Sequence, residues 1–241
     1  MTVLAVIPAR LGSTRFPEKV IAPILGKPMI QWVYERTLEA SSIDDVIIAT
    51  DAQEVMDVVA SFGGKSVMTS VDHKTGTDRI AEAIEGMEAD LIINVQGDEP
   101  LIPGEVLDRL VAKMQANPDV EMGTVAVPFA EDDEKFSDPN CVKCVASSSG
   151  FALYFSRAAI PYARNERGST LPLHHWGIYA YRRDFLERFV KFEQSPLELC
   201  ESLEQLRALE NGARILLIQA EESTIGVDVP GDIEKVEALL K

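Results

Sequence analysis

Val3-Leu4-Ala5-Val6-Ile7 runs without a polar side chain into Pro8-Ala9-Arg10-Leu11-Gly12-Ser13-Thr14-Arg15-Phe16-Pro17-Glu18-Lys19. A short continuous apolar run reads as a strand buried on both faces, as in a parallel sheet. Pro8 is expected to stop it. The loop beyond holds small residues, two arginines and a lysine, and can turn backbone N–H groups and fixed positive charge toward a polyphosphate. A plain strand-to-loop junction with solvated basic residues has the same look, so the rest of the chain decides between them.

Outward from this stretch, strand-like and helical runs alternate. Pro28 starts a helix with Ile30, Val33, Thr37 and Leu38 at helical spacing. Asp45–Thr50 is a second strand, followed by a helix that buries Val55, Met56, Val59 and Phe62 and stops at Gly63-Gly64. A helix over 77–87, a central strand over Asp90–Gln96 and a helix over 104–116 follow. This rhythm predicts a parallel sheet covered on both faces, with ligands at the carboxyl ends of its strands. In the second half, Val125–Phe129, Val142–Val145, Ala152–Phe155 and Ile178–Tyr181 are strand candidates, and helices are expected over 183–191, 198–210 and 230–240. Residues from about 125 to 195 read as an insertion that extends the sheet, covers the site and carries a dimer contact. The expectation is one α/β domain over 1–241 with a smaller inserted lobe.

The chain's 241 residues, 46% of them hydrophobic, suffice for such a domain. With 23 basic and 39 acidic residues the formal net charge is −16, a field that repels nucleic acid and anionic membranes. Against that background the first loop stands out: Arg10, Arg15, Lys19 and Lys27 face one acid, Glu18. A basic patch on an acidic protein suits a small anion, with a divalent cation helping to neutralise it. Cys141, Cys144 and Cys200 are too few for a disulfide framework, and alternation around Cys141-Val142-Lys143-Cys144 reads as a strand and not as a redox or zinc pair. The first apolar run has no basic segment before it, and no stretch nears the roughly 20 apolar residues of a spanning helix, so a cytoplasmic protein is expected.

Three stretches carry candidate chemistry. Asn94-Val95-Gln96-Gly97-Asp98-Glu99-Pro100 lies where the central strand ends; Gly97 permits a sharp turn and Asp98 emerges at the sheet's carboxyl edge. Ile225-Gly226-Val227-Asp228-Val229-Pro230-Gly231-Asp232 places a second acid, Asp228, before the last helix, with Asp232 in that helix's first turn. Together Asp98 and Asp228 match Mg²⁺, which takes one or two carboxylates plus substrate phosphates. The polar stretch from Met68 through Thr69, Asp72, Thr75, Gly76, Thr77 and Asp78 to Arg79 suits a base or ribose, with Thr77 or Asp78 as a helix N-cap. Arg157, His174, His175, Tyr179, Glu204, Gln205 and Arg207 offer groups for a polar, carboxylated ligand.

In one order along the whole chain come Ile7-Pro-Ala-Arg10 with Arg15 and Pro17, Gly26-Lys-Pro-Met-Ile30, Met68-Thr-Ser70 with Gly76-Thr-Asp-Arg79, Asn94–Pro100, Ala152–Arg157, Gly177–Tyr181, Leu203–Arg207 and Gly226-Val-Asp228. This set closely resembles the 3-deoxy-manno-octulosonate (Kdo) cytidylyltransferase family. The resemblance implies a nucleotide-diphospho-sugar transferase-like three-layer α/β/α fold with a mostly parallel central sheet, a homodimer, and transfer of CMP from CTP to Kdo with release of pyrophosphate, for lipopolysaccharide synthesis. It implies that Arg10, Arg15 and Lys19 hold the triphosphate and that Met68, Thr69 and Thr75–Arg79 form the cytidine pocket. It assigns Mg²⁺ to Asp98 and Asp228, and the sugar acid to Gln96, Arg157, His175, Tyr179, Glu204 and Gln205, with Arg157 as the natural bidentate partner of the carboxylate.

The chain departs from the family pattern at three places. Glu18 and Val20 flank Lys19 where Pro-Gly-Lys-Pro is common, so Glu18 must point away or weaken nucleotide binding. Val229-Pro230-Gly231-Asp232 stands where Thr-Pro-Glu-Asp is usual, and the connection from Tyr162 to His174 is short. A sister enzyme acting on 8-amino-Kdo or a sialic acid is the nearest alternative, and a catalytically silent sugar-nucleotide sensor a remote one. A Rossmann dehydrogenase is disfavoured because no GxGxxG follows the first strand.

Overall fold

The computed structural model describes residues 1–12, 16–130, 133–164, 172–221 and 224–241, which form two compact units. The first comprises Met1–Ala112 with Thr224–Lys241, the second Lys113–Ser223. Mixed α/β architecture with parallel strands is observed as expected.

In the first unit, β1 (Val3–Ala9) lies between β4 (Asp45–Thr50) and β6 (Leu91–Asn94), with β5 (Ser66–Met68) beyond β4, and every pair is parallel. Pro8 does not stop the strand; it is paired with Ala49. The reason is positional. Val6 accepts from the Val95 N–H on the β6 side, and the residue two further on faces the same way, beyond the last β6 pair at Asn94. Pro8's missing N–H therefore falls where no ladder bond was due.

Helix α1 (Met29–Leu38) buries Met29, Ile30, Val33, Tyr34 and Thr37, but Leu38, an expected core residue, is exposed. In α2 (Gln53–Ser61) Val55 and Val59 are buried while Met56 and Phe62 are only half-buried. Gly63 follows at φ 77°, a backbone conformation that favours glycine. Helix α3 (Gly76–Ala83) is shorter than expected, and α4 spans Gly104–Gln115. The hairpin of β2 (Pro23–Ile24) and β3 (Lys27–Pro28) packs Ile24 with Met29 of α1, with Val227, and with Val236 of the closing helix α8 (Gly231–Leu240). That apolar seam carries the C-terminal segment back to the first loop.

In the second unit, β7 (Met122–Pro128) pairs parallel with β11 (Ile215–Gln219) and antiparallel with β10 (Leu173–Arg182). β8 (Lys143–Ala146) and β9 (Ala152–Ser156) extend β10 antiparallel. Helix α5 (Arg183–Phe189) follows β10. The single helix expected over 198–210 is two, α6 (Pro196–Glu201) and α7 (Gln205–Glu210), because Ser202 takes a left-handed φ of 51° between them. Among the described residues no helix is long and apolar enough to cross a membrane.

Candidate active site

The carboxyl ends of β1 and β6 open onto a cavity of about 300 Å³. This is the topological switch point of the first unit's sheet: the chain leaves β1 toward β4 on one side and later returns to β6 on the other. Arg10, Lys19, Thr75, Gly76, Arg79, Gln96 and Asp98, all singled out from sequence, line it. His73 and Lys74, which were not singled out, line it too. Four lining Lys and Arg side chains against one carboxylate make the cavity cationic on a chain of net charge −16. Arg15, with Ser13 and Thr14, lies outside the described residues.

Gly97 lets β6 approach β1. A Cβ there would sit 3.0 Å from the Pro8 carbonyl oxygen, so the need is for close backbone approach and not, as expected, for turning freedom. Lys19 sits on a 3₁₀ turn (Lys19–Ile21) with its Nζ 2.6 Å from Asp98 Oδ2 and 3.7 Å from Asp228 Oδ1. Residues 130 positions apart in sequence thus share one cation. Main-chain and side-chain bonds bring them there. Val227 N–H donates to the Asp98 carbonyl (2.9 Å), and the Thr224 hydroxyl donates to Glu99 (3.0 Å). A Cβ on Gly226 would meet Glu99 Oε1 at 2.9 Å. Asp232 accepts from the N–H groups of Asp228 and Val229 and from Lys235. Burial opposes its charge, but those three donors hold its carboxyl below the usual range. Glu99, which the sequence marks only as part of the Asn94–Pro100 motif, latches the C-terminal segment.

The pair Asp98 and Asp228 could hold a divalent cation. Two carboxylates converging on a single ammonium are the donor chemistry Mg²⁺ uses, with phosphate oxygens filling the remaining positions. Among the described residues no group of three or more His, Cys, Asp or Glu side chains converges into a metal cage.

On the other wall the helix N-cap is Thr75, not Thr77 or Asp78. Asp78 N–H donates to Thr75 Oγ1 (3.1 Å) and Thr75 N–H to Asp78 (3.3 Å), a capping box. Thr77 is buried, and Met68 is exposed at the end of β5. Arg79 is 3% exposed and bound to Asp51 (2.6 Å) and Thr69, so it braces the ends of β4 and β5 beneath the cavity. Glu82 accepts from Ser70 N–H and pairs with His73, and these bonds, Ser70's first, hold its carboxyl below its usual range.

The residues expected to hold a sugar acid, Gln96 apart, lie in the second unit. Arg157 Nε, Nη1 and Nη2 donate to the carbonyls of Glu201 (2.7 Å), Pro139 (3.0 Å) and Ser202 (3.3 Å). Its guanidinium thereby braces the bend between α6 and α7. His175 is buried, and its ring nitrogen donates to the Thr124 hydroxyl (3.0 Å), which itself donates to the Ile178 carbonyl. Burial, then His174, pushes its pKa down to about 3, so it is neutral at ordinary pH; its ring meets Phe155 edge-on and Tyr179 at a tilt. Burial, followed by Tyr181 and Glu204, pushes the Tyr179 phenol well above its usual range. Gln205 is 4% exposed and its Nε2 has no partner among the described residues. Cys144 is buried in β8 with its thiol pushed up to about 12 by burial, and all three cysteines are free, in line with the strand reading of that motif.

A family model for cytidylyltransferases matches residues 4–215. A 3-deoxy-manno-octulosonate cytidylyltransferase from Syntrophotalea carbinolica is 49% identical over 100% of this chain and 99% of its own length. The chain belongs to the 3-deoxy-manno-octulosonate cytidylyltransferase family. The member from Geobacter sulfurreducens is 47% identical with full coverage of both chains. A solved structure described as CMP:2-keto-3-deoxy-manno-octonic acid synthetase complexed with CTP superimposes with a TM-score of 0.95 at 42% identity, covering 100% of this chain and 98% of that one. 4-Diphosphocytidyl-2C-methyl-D-erythritol synthase, at 18% identity and TM-score 0.67, shares the fold alone.

Within this cytidylyltransferase family, two departures have a local explanation. Glu18 takes φ 56°, where the family's common glycine is at ease, and it is exposed and does not line the cavity. Gly231 opens α8 with nothing within 4 Å of where a Cβ would sit, so it neither helps nor hinders Asp228. The short connection after Tyr162 includes residues 165–171, which lie outside the described residues.

Proposed function

We infer that this protein transfers CMP from CTP to 3-deoxy-D-manno-octulosonate, giving CMP-Kdo and pyrophosphate and so activating Kdo for lipopolysaccharide synthesis. The observation that carries the reading is the cationic cavity at the switch point, with Asp98 and Asp228 converging on Lys19, in a chain 42% identical to a structure complexed with CTP.

In this reading Arg10, Lys19 and Arg15 hold the triphosphate. Thr75–Arg79, with Met68 and Thr69, frames the cytidine. Gln96, Arg157, His175, Tyr179, Glu204 and Gln205 meet the sugar acid. The anomeric hydroxyl of Kdo attacks the α-phosphorus in line; an O–P bond forms, the hydroxyl proton passes to solvent, and the bond to the β-phosphate breaks with its electron pair leaving on pyrophosphate. Such transfer asks chiefly for positioning and charge neutralisation. Arg10 and Lys19 offset charge on the leaving group, and the unpartnered Gln205 amide is a donor for a sugar hydroxyl. Mg²⁺ held by Asp98 and Asp228 would supply Lewis-acid neutralisation of the α-phosphate and an anchor for the nucleophile. A homodimer in the cytoplasm completes the proposal, the assembly being measurable by light scattering.

The test is pyrophosphate release from CTP and Mg²⁺ with Kdo, 8-amino-Kdo and N-acetylneuraminate in parallel. Rapid release with Kdo supports the assignment. Release with another sugar acid alone moves the substrate, and no release with any of them overturns the reading.

A further inference from the structure

The carboxylates of Asp98 and Asp228 are not left facing each other: the Lys19 ammonium lies 2.6 Å from one and 3.7 Å from the other. We propose that Lys19 is the resident counter-ion of this pair and is exchanged for the divalent cation, so that the ammonium is released to the nucleotide phosphates only when the metal arrives. The inference rests on the metal reading of Asp98 and Asp228 given above.

Three observations carry it. The Lys19 side chain is 11% exposed, so its charge sits where solvent screens it poorly and the carboxylates are its compensation. The main chain that carries the two carboxylates, in contrast, is held by bonds that do not involve Lys19: Val227 N–H to the Asp98 carbonyl, Thr224 to Glu99, and the N–H groups of Asp228 and Val229 to Asp232. The two Asp backbone positions therefore stay together when the ammonium departs. Finally, Lys19 lines the same cavity as Arg10 and Arg79, so a triphosphate there offers its flexible four-carbon stem a second anionic partner within reach of one backbone position.

The physical consequence is competition. An ammonium and a divalent cation cannot both occupy the space between two carboxylates at bonding distance. Without nucleotide, Lys19 lowers the pair's affinity for metal. With nucleotide, the phosphates accept the displaced ammonium, and metal and CTP favour each other's binding. Lys19 thereby suppresses metal capture by the resting enzyme.

The experiment measures Mn²⁺ binding to nucleotide-free protein by electron paramagnetic resonance of the free ion. The panel is wild type, Lys19→Met, Lys19→Gln and the double variant Lys19→Met/Asp98→Asn, each checked for folding by circular dichroism. Removing one positive charge a few ångströms from a divalent ion is expected to tighten Mn²⁺ binding about ten-fold or more in Lys19→Met and Lys19→Gln. The double variant should lose that gain. Wild-type or weaker affinity in both single variants overturns the exchange, as does a gain that persists in the double variant. No Mn²⁺ bound by wild type or either single variant overturns the exchange and also the metal reading of Asp98 and Asp228 beneath it.

Discussion

Two places, one in each unit, handle ionisable groups in opposite ways. At the strand ends of the first, Lys19 pairs with Asp98 and Asp228 through side chains, the kind of contact an incoming ion can compete for. In the second, His175 is held neutral by burial, within an aromatic row fixed by Thr124 and by a register shift between Trp176 and Tyr179. Exchangeable compensation suits binding and release of charged ligands. Enforced neutrality suits a wall whose shape must not vary with pH. The contrast gives each unit its own failure mode, which substitutions can separate.

The largest effect should come from the exchangeable side. Asp98→Asn and Asp228→Asn should each lower kcat/KM for pyrophosphate release by at least roughly 10²-fold, the size of losing one electrostatic stabiliser. Thermal unfolding should drop more for Asp98→Asn than for Asp228→Asn, because Asp98 is the nearer compensation of the Lys19 ammonium. Turnover like wild type in either variant removes that residue from the cation site.

The neutral side should fail with acid. A histidine whose folded pKa is about 3 and whose unfolded value is near 6.5 binds its proton first in the unfolded chain. Its contribution is fully present at pH above 6.5 and declines as pH falls toward 3. Between pH 7 and pH 5 this group alone should cost about 2 kcal/mol of stability. Urea titrations of His175→Asn should show a flatter pH dependence than wild type over that window. An unchanged slope contradicts the buried neutral assignment.

Two smaller substitutions sharpen the boundary between shape and charge. Gly97→Ala puts a methyl 3.0 Å from the Pro8 carbonyl oxygen, a backbone atom that cannot swing aside, and should cost about 1–2 kcal/mol in denaturant unfolding. Glu18→Gly should do the reverse. Relief of a left-handed φ of 56° is expected to stabilise by about 1 kcal/mol or less, and loss of an acid near the triphosphate loop to tighten CTP binding slightly in low salt. A destabilised Glu18→Gly protein would show that the glutamate side chain makes a contact that outweighs its backbone strain.

Legibility followed physical locality. The parallel strands were plain because an unbroken apolar run such as Val3–Ile7 or Leu91–Ile93 has one reading in an α/β pattern. Asp98 was findable because it sits where such a run ends. β5 has three residues and no apolar run to announce it, and β11 was missed although Ile215–Ile218 is apolar. The break at Ser202 depends on a backbone conformation that serine seldom takes, which no periodicity reveals. His73 and Lys74 sat within the quoted polar stretch, but only the folded loop shows that they face the cavity. Arg157 shows what sequence leaves hidden: its guanidinium donates to the carbonyls of Pro139, Glu201 and Ser202, and the last two contacts join residues 44 and 45 positions apart.

The most direct measurement is ³¹P NMR of CTP and Kdo incubated with the metal-stripped protein, before and after Mg²⁺ is added. The account predicts no change before addition, then replacement of the CTP resonances by one CMP phosphodiester signal and pyrophosphate. Conversion without any divalent cation, or cleavage to CDP and phosphate at the β–γ bond, would contradict it.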